Sequence, residues 1–112
     1  MDGGLGVELA LSEPVASDRG TQRLNAVVRV DFTPLHGLAI EDGDRQLRVS
    51  VAVDTGEGEP FVTHIPQSVA SSVDRWEFSF PLVSSPGKLR VVVTVEDLAT
   101  GMWGAAVGHV PG

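Results

Sequence analysis

The sequence of 112 residues contains neither cysteine nor tyrosine. The absence of cysteine excludes disulfide bonds, thiolate metal sites and a thiol nucleophile, so the stability of the fold must come from packing. Antibody-type domains carry an inter-sheet disulfide and a conserved tyrosine corner, and this chain has neither. The length is that of one domain and leaves no room for a second hydrophobic core.

Basic residues are scarce: eight Lys and Arg stand against fifteen Asp and Glu, for a formal net charge of −7. A nucleic-acid-binding protein needs a basic stripe that neutralises phosphates, and the sequence has none. Anionic membrane surfaces are disfavoured for the same reason. We therefore expect no nucleic-acid partner.

Long apolar runs are missing as well, because no segment approaches the roughly 20 residues needed to cross a bilayer. The first four residues, 1–4, lack the basic and apolar segments of a signal peptide and are expected to form a flexible tail. We expect no membrane insertion, and any export signal would lie upstream.

The sequence is rich in segments where apolar and polar residues alternate with a period of two. Polar and glycine- or proline-containing turns separate seven such segments, at residues 5–11, 24–32, 47–53, 61–65, 76–82, 89–96 and 102–110. Regularly spaced short strands of this kind are typical of two packed sheets. The pattern predicts an all-β, two-sheet antiparallel sandwich of about seven strands, Ig-like or fibronectin-III-like, in a single domain over residues 5–110.

One segment departs from the alternation. Pro66 predicts an edge strand, because proline has no N–H to donate to an inner ladder. No segment has a convincing helical pattern, and the only candidate is 66–74, in which residues 68–71 would form one helical turn that crosses between the sheets.

Motifs that carry chemistry are absent from the sequence. His36, His64 and His109 share no metal-ligand spacing. No Gly-x-Ser-x-Gly and no phosphate-binding glycine loop occurs. The acidic residues of the 41–44 and 54–59 segments are typical of solvated turns, and a calcium ion bridging these loops is the alternative that the sequence leaves open. We expect no catalytic, cofactor-binding or metal-binding residues and predict that the chain is not an enzyme.

Three apolar side chains are candidates for contact with a partner. Val92 lies on the polar face of the valine-rich segment 89–96, so the outer side of that strand is expected to be partly covered, by a neighbouring domain, a second copy or a loop of the same domain. Trp103 follows a turn and either covers an end of the sandwich or contacts a partner, whereas Trp76 is in phase with Phe78 and belongs to the predicted core. Phe61 begins a short strand at a hairpin tip.

The second half of the chain resembles a known module. The segments 78–82, 85–97 and 99–104 combine an aromatic strand, a Pro-Gly turn, a valine-rich strand ending in Glu-Asp and a turn to the last strand. This succession resembles the C-terminal Ig-like β-sandwich of bacterial von Willebrand factor type A-related exported proteins. The metal-binding Asp-x-Ser-x-Ser loop of a type A domain is absent, so the resemblance implies an accessory module with an extracytoplasmic address and names no ligand.

Two interpretations of function follow. The first is a structural or interaction module that contacts another domain of its parent protein or a protein partner. The second is a carbohydrate- or peptide-binding module that uses a sheet face or loop rim. The second interpretation requires Trp103 and Phe61 to be exposed on one surface.

Overall fold

The computed structural model describes residues 4–17, 19–35, 44–56 and 58–111. These residues form eight strands and one 3₁₀ turn at Thr33–Leu35: β1 Gly6–Leu11, β2 Val15–Ala16, β3 Gln22–Asp31, β4 Asp44–Asp54, β5 Phe61–Ala70, β6 Arg75–Ser84, β7 Leu89–Asp97 and β8 Trp103–Val110. Two antiparallel sheets pack face to face, which confirms the predicted sandwich. The described residues include no helix with the length and apolarity needed to span a membrane.

Four strands in the order β5-β4-β7-β8 form the first layer, here called the valine sheet. Every inward position at its centre is a buried valine: Val49 and Val51 on β4, and Val91, Val93 and Val95 on β7. The β-branched side chain fits the half-buried surface of a pleated sheet, and the alternation sends the intervening residues outward.

The second layer, here called the aromatic sheet, is built around β3. Strand β6 pairs with β3 from end to end, so β1 and β2 share its other edge, where they are separated by residues 12–14. The inward face of β6 carries a stack of rings whose centroids are 4.5 Å apart for Trp76 and Phe78 and 5.9 Å apart for Phe78 and Phe80. Trp76 therefore packs against the core, as its phase predicted.

Strand β5 differs from its prediction. It continues through Pro66 to Ala70, and its last residues pair with the start of β4, so the expected helical turn over residues 68–71 is wrong. The edge position predicted for Pro66 is confirmed, since β5 is the outermost strand of the valine sheet. A proline whose missing N–H faces away from β4 does not interrupt the ladder.

The turn between β7 and β8 is held by Asp97, which is fully buried. One of its carboxylate oxygens, Oδ2, accepts hydrogen bonds from the Thr100 N–H at 3.2 Å and the Thr100 hydroxyl at 2.6 Å. Gly101 supplies a φ of +77°, a left-handed conformation in which side-chain-bearing residues are strained. At the N-terminus, residues 1–3 of the expected tail lie outside the described residues, and Gly4 forms an isolated bridge with Trp103.

The two sheets approach closely at one edge of the sandwich and diverge at the other. At the close edge, β1 crosses β8, whose inward residues are Gly104, Ala106 and Gly108. A Cβ atom at position 104 would collide with the Leu5 carbonyl oxygen. At the far edge the inward residues of β6 are large aromatics. The core is therefore wedge-shaped and opens between β5 and β6.

We expect Val93→Asp to unfold the domain. The Val93 side chain is 0% exposed, and an unpaired buried charge costs several kcal/mol, on the order of the whole stability of a small domain. Val92→Asp is the matched control, because the neighbouring residue points outward. Thermal melts followed by circular dichroism compare the two variants. A cooperative melt of Val93→Asp near the wild-type temperature would show that the strand register is wrong by one residue.

Gly104→Ala should cost about 1–3 kcal/mol of unfolding free energy, because the added methyl meets backbone that has no alternative position. Gly108→Ala should cost less than about 1 kcal/mol, since its nearest neighbour is the flexible end of Leu11, 2.8 Å from the added Cβ. Urea denaturation of both variants measures the difference. Equal losses would contradict the close approach of β1 to β8 at Gly104.

Candidate interaction site

A groove runs along the open edge of the sandwich, between β5 of the valine sheet and β6 of the aromatic sheet. It has a volume of about 480 Å³. Its floor and walls are mainly apolar, with Val51, Val53 and Ile65 from one sheet and Phe80 and Leu82 from the other. Its rim carries one carboxylate, that of Glu59, and four hydroxyl-bearing residues: Thr55, Thr63, Ser84 and Ser85. We call this feature the edge groove.

Phe61, one of the three predicted contact residues, lies at the mouth of the edge groove. It pairs with Val53, so its ring is on the inward side of β5, yet it is 70% exposed. The exposure follows from the wedge shape of the core, because the strand opposite is too far away to cover the ring. The ring therefore leaves a large apolar surface uncovered on the core side of the strand.

Both strands that border the edge groove carry a proline on their free side. The Phe32 N–H donates to the Asp74 carbonyl, and alternation from this pair turns the backbone of Pro81 away from β3. The Leu98 N–H donates to the Gln46 carbonyl, and the same alternation turns the backbone of Pro66 away from β4. Each proline removes a donor from an edge that could otherwise pair with a foreign strand.

Val92 lies on a second apolar surface, the outer face of the valine sheet. The registers of the three strand pairs align Val62, Ala52, Val92 and Val107 in one row across all four strands. Val62 is 52% and Val107 47% exposed at the ends of the row, and the two central residues are half-buried by their neighbours. The partial cover predicted for Val92 thus comes from the sheet itself, and the row remains open to solvent.

Trp103 is half-buried on this same outer face, two rows from Val92, where it pairs with Glu96. It does not share a surface with Phe61. Phe61 and Trp103 are the first residues of β5 and β8, which are opposite edge strands that run in opposite directions. They therefore lie towards opposite ends of the valine sheet, and they are on its opposite faces. The structure therefore does not bring the two predicted aromatic contacts together.

The outer face of the aromatic sheet combines charged side chains with two exposed valines, Val15 and Val83, on either side of Arg23. Arg29 forms an ion pair with Glu77 at 2.8 Å, and Glu8 lies on the other side of Arg29 in the same row. The hydrogen bond to Glu77 and the charge of that carboxylate raise the pKa of the Arg29 guanidinium above its ordinary value, although solvent surrounds it.

The two histidines within the described residues do not converge. His64 lies on β5 and His109 on β8, the two opposite edges of the valine sheet, and His36 lies outside the described residues. The Nδ1 atom of His64 is 2.9 Å from the Ser50 hydroxyl, and the two residues form an exposed cross-strand pair. Within the described part of the chain, no three His, Asp or Glu side chains are grouped as metal ligands. Of the acidic loop residues, Glu41, Asp42 and Glu57 fall outside it.

One buried cation, Arg45, was not predicted from the sequence. Arg45 is 5% exposed on the inward face of β4, with its guanidinium carbon 5.8 Å from the centre of the Phe32 ring. Among the described residues, its Nε and Nη1 atoms and the Oδ1 atom of Asp97 lack hydrogen-bond partners. The phase of Arg45 with Leu47 and Val49 was the available signal, and it was missed because the predicted strand began at residue 47.

Comparisons with known proteins support the fold and extend no further. No protein-family model matches the chain, and no curated protein matches it in sequence. A structural-genomics target, SoR45, has a similar structure with a TM-score of 0.58 and 8% identity over 99% of this chain and 88% of its own. The putative ApaA protein from Bordetella pertussis is similar with a TM-score of 0.55 and 10% identity over 96% and 92% of the two chains.

The fold also occurs inside a much longer protein. Bacteroides uniformis β-glucuronidase 2 is similar with a TM-score of 0.54 and 14% identity, over 92% of this chain but only 13% of the enzyme. At identities this low, the likeness concerns the β-sandwich alone.

Fluorescence can test where the two tryptophans lie. In Trp76→Phe only Trp103 reports, and in Trp103→Phe only Trp76 reports. We expect acrylamide to quench Trp103 more strongly in dilute solution, with a red-shifted emission, because Trp76 packs against the core and Trp103 lies on an outer face. A protected, blue-shifted Trp103 would contradict this location.

Proposed function

We propose that this chain is a non-catalytic interaction module that binds a protein partner through the edge groove. The observation that carries the proposal is Phe61, which is on the core side of β5 and yet 70% exposed at the mouth of an apolar groove. A monomeric sandwich without a partner would gain stability by covering this ring. The partner is either another domain of the same parent protein or a separate protein.

The chemistry of the edge groove defines what it accepts. Its apolar floor accommodates an aliphatic or aromatic side chain, and the hydroxyl groups of Thr63 and Ser85 offer hydrogen bonds to a peptide backbone. Glu59 at the rim favours a basic residue next to the inserted side chain. Pro66 and Pro81 limit backbone pairing along the edge strands, so recognition depends mainly on inserted side chains.

The parent is proposed to be a larger exported bacterial protein, with this module outside the cytoplasm. The support is the resemblance of the segments from Phe78 to Gly104 to the accessory sandwiches of von Willebrand factor type A-related proteins. The match to a small part of β-glucuronidase 2 is compatible with such an arrangement, because a sandwich of this shape occurs there within a much longer chain.

Carbohydrate binding, the alternative, has less support. A sugar-binding surface needs exposed aromatic rings that lie in one plane, and Phe61 and Trp103 are on opposite faces of the valine sheet. The remaining rings of β6 face the core. No observation favours this alternative over the binding of a peptide segment.

A phage-displayed library of random peptides tests the proposal. Peptides selected on the wild-type chain should share an apolar residue flanked by a basic one. Phe61→Asp should weaken their binding about tenfold or more, because a charge at the groove mouth resists desolvation. Val62→Asp is the matched control, since this neighbouring residue is 52% exposed and faces the other side of the same strand.

Binding is measured by fluorescence anisotropy of labelled peptides. The proposal fails if no peptide family is enriched, or if Phe61→Asp and Val62→Asp bind the selected peptides equally well. A glycan array run in parallel tests the alternative. Glycan binding that depends on Trp103 would replace the proposal.

A further inference from the structure

We propose that a second copy of this chain packs face to face on the outer face of the valine sheet. This surface is separate from the edge groove, and the proposal is independent of peptide binding. It rests on the apolar row of Val62, Ala52, Val92 and Val107, and on the charges that flank this row along the central strands β4 and β7.

The charges on the central strands alternate in sign around the apolar row. Arg48 pairs with Glu96 on one side of it, with their side chains 3.6 Å apart, and Asp54 pairs with Arg90 on the other side. These positions carry two positive and two negative charges, so this part of the surface is neutral although the chain has a net charge of −7. A second copy therefore meets little repulsion at this face.

A two-fold axis parallel to the strands, between β4 and β7, makes the face complementary to itself. Rotation about this axis lays β4 of one copy over β7 of the other at the same height. Arg48 then faces Glu96 of the second copy, and Asp54 faces Arg90. This is an isologous contact, in which each pair occurs twice.

The apolar row selects this axis over the alternative. A two-fold axis perpendicular to the strands would also match opposite charges, because the sign of the charge alternates both along each strand and between the two strands. It would, however, lay Ala52 over Ser50 and Val92 over Thr94. The axis parallel to the strands lays Ala52 over Val92 and Val62 over Val107, so apolar groups cover one another.

The size of the face predicts a weak dimer. Four strands about 4.8 Å apart and about eight residues long give a footprint of roughly 500 Å² per copy. Stable complexes bury about 800 Å² per partner, so we expect a dissociation constant on the order of 10⁻⁴ M. The usual angle of about −30° between packed sheets keeps the central rows in contact and separates the corners.

Sedimentation equilibrium tests the proposal with a pair of charge-reversal variants. Arg48→Glu leaves two carboxylates at positions 48 and 96, and Glu96→Arg leaves two guanidinium groups. Each variant alone should dimerise about tenfold more weakly than the wild type, because like charges face each other across the axis. An equimolar mixture should recover dimers, since only the mixed pair brings opposite charges together.

Mixing the two variants changes only the contact between copies. Within each chain, residues 48 and 96 carry the same charges alone and in the mixture, so a change in dimerisation reports the contact between chains. Arg29→Glu, on the outer face of the aromatic sheet, is the control that should dimerise like the wild type. Phe61→Asp should dimerise like the wild type and lose only peptide binding. Val62→Asp should bind the peptides like the wild type and dimerise more weakly. Failure of one proposal is therefore distinguishable from failure of the other.

Two results would overturn the proposal. The first is a wild-type chain that remains monomeric from about 10 µM to about 1 mM, a range that brackets the expected constant. The second is a wild-type dimer that persists in Arg48→Glu, or that the mixture of the two variants does not recover. That outcome would assign any self-association to a different surface or axis.

Discussion

The width of the core is the constraint on which the rest of this structure depends. At one edge, Gly104 and Gly108 allow β1 to lie directly against β8. At the other, Trp76, Phe78 and Phe80 fill the space between the sheets with rings. Two sheets that are close on one side and propped apart on the other must leave a groove on the wide side. The size gradient of the inward residues thus produces both a closed edge and the edge groove.

The outer faces of the two sheets differ in composition. The aromatic sheet turns cross-strand charges to solvent, as in the ion pair of Arg29 and Glu77. The valine sheet turns outward a row whose central members, Ala52 and Val92, carry no polar group. The fold needs only the inward face of each sheet to be apolar, so the difference between the outer faces is not required by the fold. It is the kind of difference that points to an interaction.

The fold was predictable because the alternation of apolar and polar residues within one segment is enough to identify a strand and its inward face. The phase of Leu89, Val91, Val93 and Val95 gave the inward face of β7 without any knowledge of its neighbours. Pro66 was correctly assigned to an edge, but the residues after it were read as a helical turn because proline usually ends a strand. Their pairing with the start of β4 overrode that local signal. Arg45 was missed for a different reason, since the predicted strand began at residue 47, whereas β4 begins at Asp44 and places Arg45 in phase with Leu47.

The candidate surfaces were less predictable, because they depend on which strands become neighbours. Val62 and Val107 belong to separate segments, and only the order β5-β4-β7-β8 aligns them with Val92. The separation of Phe61 from Trp103 has the same origin, since two residues that look alike in sequence belong to opposite edges and opposite faces of one sheet. The prolines of β5 and β6 affect the same open edge, because each removes a backbone N–H donor from its strand. An open edge next to an apolar groove would otherwise invite strand addition, and donors missing at Pro66 and Pro81 leave side-chain insertion as the favoured mode of contact.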